Sequence, residues 1–367
     1  MKFLFTSYIS TPEFSHPEKW LKRINGYVGV LEQLAKFHEV ISIERINYEG
    51  RIQRNGVLYQ FINFGKQKIW FPWRMHQFIK NQQPDVVIVH GLHFPLQVLQ
   101  LRQMIVRKTI IIAQHHAEKP ASGVKKYFQQ LADRSINAYL FASGELGMDW
   151  VQKQNLTNPK KIYEVMEASS GFFRINQQEA KLRTNVEGHP VYLWVGRLDK
   201  NKDPLIVVQG FLQFQQNNPA ARLYMIYHTT ELLAAIKALL ASKNKSSQAV
   251  LLIGKVAHHD MLYWFNSADF IIAGSHYEGS GIAVCEAMSC GCVPILTAIP
   301  SFKKMTGHGK CGLLYEAGNA DDLLKVLNQT PEMDIEKERH KVLVQFKNEL
   351  SFEAIAKKIE AVVRDCS

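Results

Sequence analysis

The chain has 367 residues, enough for two domains of about 100–200 residues each. Its composition, 46% hydrophobic and 21% charged, is ordinary for a globular protein, and no apolar run approaches the roughly 20 residues of a membrane span. The opening MKFLFTSYIS is apolar for only a few residues and lacks a small-residue cleavage site, so it predicts a buried strand rather than a signal peptide. We therefore expect a cytoplasmic location.

The net charge of +11 arises entirely in the first half of the chain. Residues 1–185 carry 25 Lys and Arg against 14 Asp and Glu, whereas residues 186–367 carry 19 of each. Such an asymmetry indicates an anionic partner for the first half: a membrane surface, an acidic glycan or nucleic acid. The alternative is a basic surface that is merely solvated.

Short apolar runs rich in β-branched residues alternate with helical patterns along the chain. The first series of predicted strands covers residues 3–8, 40–46, 86–90, 109–113, 138–142 and 161–166. The helical patterns between them include residues 20–37, 73–81 and 96–106. A second series of strands covers residues 191–195, 222–227, 249–253, 270–273, 293–296 and 312–315, and two helical patterns follow at 334–348 and 352–364.

This alternation predicts an α/β protein with two doubly wound, Rossmann-like parallel sheets, each covered by helices on both faces. The polar stretch 174–189 predicts the linker, so we expect a first domain over residues 1–180 and a second over residues 181–350. Ligands bind such sheets beyond the carboxyl ends of the strands. Two sheets facing each other would therefore place a binding cleft between the domains.

One segment of the first half, residues 70–80, is aromatic and basic together. It suits a membrane-interface element. It also stands where a helix must cover the sheet before the strand at 86–90, and we expect this second role, core packing. Trp70 and Trp73 are the residues to consider if any aromatic side chain is exposed.

The most informative chemistry lies at Glu278 and Glu286, eight residues apart. Glu278 follows a predicted strand, residues 279–281 form a turn of small residues, and a helical pattern starts at Ile282. The free N–H groups and positive dipole end of such a helix suit a phosphate, whereas carboxylates accept hydrogen bonds from sugar hydroxyls. The pattern therefore predicts a ligand that is part diphosphate and part polyol, and a nucleotide sugar is the simplest such ligand.

A second group of polar residues opens the second half, where Gly196 ends a predicted strand and Asp203-Pro204 begins a helix. Arg197 and Lys202 lie in the loop between them, at the carboxyl end of the strand. Two cations on the ligand side of a sheet indicate a diphosphate clamp, in which Arg offers a bidentate fork and Lys a point charge. The alternative is that both are solvated loop residues.

The cysteines and histidines do not predict a metal site. Four cysteines cluster at positions 285, 290, 292 and 311, but no CxxC pair exists, and we expect them to be small buried residues. The pairs His258-His259 and His276/Glu278 have no third ligand at convincing spacing, and the chain contains no Asp-x-Asp.

Three elements in chain order resemble the C-terminal half of retaining GT-B glycosyltransferases of family 4, the glycosyl transferases group 1. They are GRLDKNKDPL, EGSGIAVCEAMSCGCVPIL and HGKCGLLYEAGNADDL. That family carries a Glu-x7-Glu element and an Arg and a Lys after the first strand of its donor domain, and the spacing of both matches here. The resemblance covers most of the chain and is most specific from Gly196 to Leu323. It implies a GT-B architecture with the donor site in the second half, the acceptor side in the first, and a last helix, residues 351–367, that crosses back to the first domain.

The resemblance also implies roles for individual residues of the second half. Arg197 and Lys202 would bind the donor diphosphate and stabilise it as the leaving group, and Glu278 would hold hydroxyls of the donor sugar. Glu286 would accept hydrogen bonds from the ribose hydroxyls, and Lys255 falls near the place where the family holds the base. The remaining expected donor contacts are Gly196, Gly279, Ser280, Gly281 and Ile282.

The first half resembles the family less closely. Gly26 takes the place of the family's Gly-Gly loop ahead of the first helix, which implies a diphosphate contact there. The family's histidine at the end of a middle strand, near the donor sugar and the acceptor, corresponds to His116, with His115 as second choice. His90 and His93 flank another strand end and are further candidates. For each, the alternative is a histidine packed at a strand end.

The implied activity is retaining transfer of a hexosyl group from a nucleoside-diphosphate sugar, with UDP or GDP as nucleotide, to a glycan, lipid-linked or small-molecule acceptor. The implied route is front-face attack, in which the departing phosphate helps take the acceptor proton and the protein supplies positioning and charge stabilisation. We expect no cofactor, no metal and no nucleic acid. Two other classes remain open: a nucleotide-sugar 2-epimerase of the same architecture and a non-catalytic nucleotide-sugar-binding subunit.

The basic first half adds one expectation, peripheral contact of residues 1–185 with the inner face of an anionic membrane. The candidate contacts are Lys66, Lys68, Arg74, Lys125 and Lys126, with Trp70 and Trp73 entering the interface.

Overall fold

The computed structural model of the protein describes residues 1–63, 70–242 and 248–367. The chain divides into two compact units. Unit 1 comprises Met1–Ser169 and Phe352–Ser367, and unit 2 comprises Ser170–Ser351. Each unit is an α/β sheet in which helices connect most successive strands, and every strand predicted from the sequence is present.

Unit 1 contains an eight-stranded sheet. Its strands are β1 (Lys2–Ser7), β2 (Glu39–Glu44), β3 (Gly50–Arg54), β4 (Val57–Phe61), β5 (Val86–His90), β6 (Ile110–Gln114), β7 (Ala138–Phe141) and β8 (Ile162–Glu164). Their order in the sheet is β3-β4-β2-β1-β5-β6-β7-β8, and every neighbouring pair is parallel except β3 with β4. The central strands β1, β5 and β6 are buried along most of their length, which accounts for their continuous apolar sequences.

The helices of the first 169 residues are α1 (Pro17–Arg23), α2 (Asn25–Leu34), α3 (Trp73–Gln82), α4 (Pro95–Met104), α5 (Gly123–Asp133) and α6 (Gly144–Gln152). Proline in the first turn starts α1 and α4, where a missing N–H costs nothing. Ser143 caps α6 by accepting the Leu146 N–H at 3.4 Å.

The predicted helix over residues 20–37 is in fact two helices, α1 and α2. The break falls at Ile24, whose φ and ψ of −101° and 21° are not helical. Two poor helix formers, Asn25 and Gly26, follow it directly, which explains why the first helix ends there.

The hairpin of β3 and β4 is missing from the sequence prediction. Its turn is Asn55-Gly56, and both residues have positive φ, 46° and 82°. An Asn-Gly pair between two strand-like runs is the strongest short-range signal for such a hairpin, because a two-residue turn needs this backbone conformation. The hairpin extends the sheet beyond β2, with which β4 pairs in parallel.

Unit 2 contains a six-stranded sheet. Its strands are β9 (Val191–Gly196), β10 (Arg222–Tyr227), β11 (Val250–Gly254), β12 (Phe270–Ala273), β13 (Val293–Thr297) and β14 (Leu313–Tyr315). Their order is β11-β10-β9-β12-β13-β14, and all neighbouring pairs are parallel. Its helices are α7 (Gln177–Thr184), α8 (Pro204–Asn217), α9 (Leu233–Ala241), α10 (Met261–Ser267), α11 (Ile282–Ser289), α12 (Pro300–Met305), α13 (Ala320–Leu327) and α14 (Ile335–Gln345).

Residues 174–189, predicted as the linker, are part of unit 2. They contain α7, which Asn176 caps by accepting the N–H groups of Gln178 and Glu179. Ala180 of this helix is fully buried and α7 packs against α10. The helix is polar because only a narrow face is covered, and this polarity is what made the segment resemble a linker.

The cysteines of unit 2 are buried, as the sequence predicts. Cys290 and Cys292 lie in the core cluster formed by the helices and strands of this unit. Burial raises the pKa of Cys290 and of Cys311 to about 12, so both are thiols at neutral pH.

The helix α15 (Phe352–Cys366) follows unit 2 in sequence but belongs to unit 1, where it packs on α2. Its buried side chains include Ile355, Ile359 and Val363. A Cβ added to Gly29 of α2 would lie 2.5 Å from the Phe352 ring, so this close approach requires glycine. A hydrogen bond of 2.8 Å between His38 Nε2 and Glu360 Oε1 lies at the other end of the contact.

Candidate functional site

The strand order of unit 2 reverses between β9 and β12. The chain proceeds from β9 towards β10 and β11 on one side, and from β12 towards β13 and β14 on the other. Loops that leave two such strands diverge, and the crevice between them is where open α/β sheets bind ligands. The loop after β9 and the turn after β12 hold most of the residues that the sequence singles out in this unit.

Arg197 and Lys202 both lie in the loop after β9, and Asp199 organises the two. The exposed guanidinium of Arg197 donates from Nε to Asp199 Oδ2 at 3.1 Å, while Asp199 Oδ1 accepts the Lys202 N–H at 2.9 Å. The Lys202 ammonium pairs with Glu278 Oε1, across the crevice on the β12 side. The structure therefore brings two of the predicted residues, 76 positions apart in sequence, into direct contact.

The turn after β12 is tied to its surroundings through its backbone. The Glu278 carbonyl accepts from Ser301 Oγ at 2.8 Å, and the Tyr277 carbonyl accepts from Asn201 Nδ2 at 3.0 Å. Gly281, the N-cap of α11, has a φ of 55°, a left-handed conformation that favours glycine. No side-chain cap is found for α11 in the described structure, so its first N–H groups and its positive dipole end suit a phosphate.

Glu286 lies one turn into α11 and is only 9% exposed. Its Oε1 is 2.6 Å from His258 Nε2, and the His258 ring stacks on Phe172 with centroids 5.1 Å apart. His258 therefore orients this carboxylate, a contact that the sequence did not predict. Lys255 is exposed just beyond the end of β11, the edge strand on the same side as β10.

Several histidines of unit 2 pair with carboxylates. Besides His258 with Glu286, His276 Nε2 lies 2.9 Å from Asp203 Oδ2. Across residues 1–63, 70–242 and 248–367, no three or more His, Cys, Asp or Glu side chains are grouped so that they could hold a metal ion.

The strand order of unit 1 reverses between β1 and β5, and a pocket of about 280 Å³ opens beside their carboxyl ends. Its lining combines aromatic with polar side chains, among them Trp20, Tyr27, Glu44, Arg45, His90 and His116. Aromatic faces and hydrogen-bonding edges together suit a sugar, which has apolar ring faces and a rim of hydroxyls.

The carboxyl group of Glu44 is held against the pocket by two donors. Trp20 Nε1 donates to Oε2 at 2.7 Å and Ser42 Oγ donates to Oε1 at 2.6 Å. Burial raises the pKa of Glu44, although both hydrogen bonds act in the opposite direction.

Gly26 lies in the first turn of α2 in unit 1, where its carbonyl accepts the Ser169 N–H at 2.8 Å. The two adjacent histidines after β6 differ sharply. His115 is buried against Phe141 and its Nε2 donates to the Glu118 carbonyl at 2.8 Å, so it is a packed residue. His116 is partly exposed in the pocket wall and contacts both His90 and Glu167.

Two carboxylates of unit 1 were not predicted as site residues. Glu118 is buried and accepts the N–H groups of Leu92 and His116 at 2.8 and 2.6 Å, so it joins the loops after β5 and β6. Glu167 follows β8 and lies 2.8 Å from His116 Nδ1. Neither belongs to a short motif; their position directly after a parallel strand was the available signal.

The aromatic segment near residue 70 is exposed, which corrects the expectation of core packing. Trp70, Phe71 and Trp73 are 61%, 77% and 65% exposed. The helix α3 does cover the sheet, but through Met75 and Ile79, so the aromatic side chains at its start point away. In the described parts of the chain, none of the helices has both the length and the apolar character that crossing a bilayer requires.

Comparison with known proteins adds the following. Residues 175–349 match the family Glycosyl transferases group 1. The GDP-mannose:cellobiosyl-diphosphopolyprenol alpha-mannosyltransferase of Xanthomonas campestris is 24% identical over 290 residues, which cover 77% of this chain and 70% of that protein. The mannosylfructose-phosphate synthase of Agrobacterium fabrum is 27% identical over 154 residues, 40% of this chain and about a third (34%) of that protein.

The fold has solved counterparts over its full length. HepE of Anabaena, whose structure is in complex with UDP, superposes with a TM-score of 0.74 at 11% identity and covers 100% of both chains. An identity this low shows the fold alone. The two parallel-sheet units therefore constitute the GT-B architecture that the sequence predicts.

Proposed function

We propose that this glycosyltransferase, whose residues 175–349 form a glycosyl transferases group 1 domain, moves a hexosyl group from a nucleoside-diphosphate sugar to an acceptor with retention of configuration. The observation that carries the proposal is the convergence at one edge of unit 2. Two cations, a turn of small residues, a helix N-terminus and two carboxylates all lie near the carboxyl ends of β9 and β12.

The donor would be shared among these groups according to their chemistry. Arg197 and Lys202 take the diphosphate, together with the N–H groups at the start of α11. Glu278 takes hydroxyls of the sugar, Glu286 takes the ribose hydroxyls, and Lys255 lies towards the base. As the diphosphate enters, it competes with Glu278 for Lys202, which frees that carboxylate for the sugar. The two cations then stabilise the charge that grows on the leaving phosphate.

The acceptor would occupy the pocket of unit 1. The Xanthomonas relative is named for an acceptor linked to a diphosphopolyprenol. A lipid-linked acceptor that carries a diphosphate is anionic and bound to a membrane, and the basic excess of residues 1–185 suits such a substrate. A soluble glycan or a small molecule remains the other class of acceptor. The proposed location is therefore the cytoplasm, with peripheral contact at the inner face of the membrane.

The donor sugar can be identified because a bound ligand stabilises the native protein against thermal unfolding. A ligand that binds the native state stabilises it by about 2.7 kcal/mol at 100 times its Kd. We expect a UDP- or GDP-sugar to raise the melting temperature without added metal, and ADP-sugars to raise it less. A thermal-shift series with UDP-, GDP- and ADP-sugars, each with and without EDTA, measures this.

This series, together with an assay of nucleotide release, separates the alternatives. A metal-independent transferase keeps the shift in EDTA and releases free nucleotide rapidly only when an acceptor is present, with slow transfer to water otherwise. A 2-epimerase would need acid and base carboxylates in the site and would convert the sugar without that requirement. A protein with no response to any of these nucleotides would contradict a donor site in unit 2.

The exposed aromatic side chains support a second proposal, that unit 1 touches an anionic bilayer. Trp70 and Trp73 stand beside basic residues that include Arg74, which pairs with Glu49 at 2.7 Å. Lys125 and Lys126 lie on α5 of the same unit, whereas Lys66 and Lys68 fall outside the described residues. Tryptophan at a bilayer interface next to lysine is a recurring arrangement in peripheral proteins.

We expect the protein to sediment with liposomes that contain anionic lipid at 0.1 M salt and to be released at 1 M, because the Debye length falls from about 10 to about 3 Å. Each basic residue near the surface contributes on the order of 1 kcal/mol, so the double reversal Lys125→Glu with Lys126→Glu should weaken binding roughly tenfold or more. Replacing Trp70 and Trp73 by Ala should weaken it at both salt concentrations.

Phe173 provides the matched control for the tryptophans. It is an exposed aromatic residue of unit 2, outside the unit proposed to touch the bilayer, and Phe173→Ala should leave sedimentation unchanged. Absence of binding by the wild-type protein at low salt would remove the membrane contact and leave a soluble acceptor.

A further inference from the structure

Three side chains at the carboxyl edge of the unit 1 sheet form a continuous chain of contacts. Glu167 Oε2 lies 2.8 Å from His116 Nδ1, and His116 Nε2 lies 2.8 Å from His90 Nδ1. The three residues follow or end different strands, β8, β6 and β5, so only the folded sheet brings them together. Both ring nitrogens of His116 are therefore engaged.

The protons on these three side chains can be placed in two ways. The Glu167 carboxylate accepts, so His116 carries a proton on Nδ1. The contact between the rings needs one further proton, which belongs either to His116 or to His90. In the first case His116 is an imidazolium and His90 is neutral, with its proton on Nε2. In the second case His116 is neutral and donates only to Glu167.

The surroundings favour the first arrangement. Burial lowers the pKa of His90 well below its ordinary value, and the neighbouring charge of His116 lowers it further. Burial acts in the same direction on His116, but the attraction of Glu167, its hydrogen bond and the attraction of Glu118 together outweigh burial, so the pKa of His116 is raised. The shared proton therefore resides on His116.

The charged and titratable side chains around Glu167, His116 and His90 come from several helices, strands and loops. Glu118 lies in the loop after β6, and His115 stands beside it with a pKa lowered mainly by burial. Tyr27 of α2 packs edge-on against the His90 ring at 4.5 Å. Glu44 and Arg45, at the end of β2, line the same pocket as His90 and His116. Among these, the two carboxylates nearest His116, Glu167 and Glu118, are the ones that favour its charged form.

We propose that Glu167 and His90 are positioning residues that hold His116 as an imidazolium in the wall of the acceptor pocket, and that this charged form is the one competent for transfer. The catalytic part of the inference rests on the proposed function. A fixed positive charge beside the acceptor hydroxyl stabilises the negative charge that its oxygen gains as the proton leaves. An imidazolium has no lone pair, so His116 in this form does not take that proton itself, which leaves it to the departing phosphate.

The charge state is measurable without any substrate. Two-dimensional ¹H–¹⁵N spectra of the histidine rings, recorded against pH on the full-length protein, report the protonation state and tautomer of His116 and His90. In the wild-type protein we expect His116 to titrate above the ordinary value of about 6.5 and His90 to stay neutral through that range. In Glu167→Gln, which keeps the shape and removes the charge, the midpoint of His116 should fall.

Two variants guard against an effect of folding alone. Glu167→Asp keeps the charge and should retain most of the raised midpoint, which a merely structural role for Glu167 does not predict. Glu145→Gln removes an exposed carboxylate of α6 in the same unit and should leave the midpoint unchanged. An equal midpoint for His116 in the wild type and in Glu167→Gln, or a His116 that is neutral at pH 6, would overturn the proposal.

The catalytic consequence has its own readout. Activity should be present below the pKa of His116 and lost as pH rises through it, because the charged form is the protonated one. The probe is release of nucleotide from the donor sugar that stabilises the protein best, with water as acceptor. In Glu167→Gln the loss should begin at lower pH, in step with the spectroscopic midpoint. A shifted midpoint with an unshifted rate profile would overturn the catalytic part, whereas failure to bind any donor would contradict the proposed function instead.

Discussion

Arg197→Ala and Lys202→Ala should each reduce kcat by about 10²–10³, the usual cost of removing one group that stabilises charge developing in a transition state. Both side chains lie in the loop after β9, and the diphosphate proposed to bind there gains charge as the sugar–phosphate bond breaks. Steady-state release of nucleotide in the presence of acceptor measures the effect. Circular dichroism should show that both variants remain folded.

Lys200 gives the matched control for this pair. It is an exposed lysine of the same loop, and Lys200→Ala should keep a turnover within about twofold of the wild type, since a solvated surface cation contributes little. Lys202→Ala also leaves the Glu278 carboxylate without its ion pair, so its stability should be compared with that of Arg197→Ala. Near-normal turnover in both variants would contradict the assignment of these residues to the leaving group.

The second large effect separates the two carboxylates. Glu286→Ala should weaken binding of the bare nucleoside diphosphate roughly tenfold or more, because a hydrogen bond to a charged group contributes about 1.5–3 kcal/mol. Glu278→Ala should leave that binding nearly intact and lower transfer, since its proposed partner is the sugar. Isothermal calorimetry with UDP or GDP on both variants tests whether Glu286, and not Glu278, binds the nucleotide.

An exposed carboxylate of unit 2, Glu332, serves as the reference for loss of negative charge alone. If Glu278→Ala and Glu332→Ala raise the affinity for the nucleoside diphosphate equally, the rise reflects the loss of one negative charge rather than the release of Lys202. The reverse pattern, in which Glu278→Ala loses the nucleotide and Glu286→Ala keeps it, would show that the two roles are exchanged.

The sequence predicts the strands of this protein well because their signal is local. Buried parallel strands are continuous apolar runs, and the flanking helical patterns bound them. It predicts the loop after β9 and the turn after β12 for a related reason. A polar residue directly after an apolar run that forms a strand must lie at the carboxyl end of that strand. The hairpin at Asn55-Gly56 was equally local and was missed, because β3 has no buried residue and β4 is buried only at alternate positions, so neither is a continuous apolar run.

The sequence does less well wherever side chains meet across strands. The contacts from Glu167 through His116 to His90 join residues at or just after the ends of β8, β6 and β5, and the contact of His258 with Glu286 joins the segment after β11 to α11. No spacing along the chain encodes these contacts, since they depend on strand order. Burial of the aromatic segment at Trp70 failed as a prediction for a similar reason: the helix that follows packs through residues other than the tryptophans.

The return of α15 to unit 1 bears on the order in which the protein is completed during translation. Residues 352–366 cover α2, yet they leave the ribosome only after all of unit 2 has been made. In the nascent protein, one face of α2 therefore stays uncovered, whereas unit 2, which is continuous from Ser170 to Ser351, can fold. Unit 1 is thus synthesised first but completed last. A chaperone that binds exposed apolar surface would bind α2 during that interval.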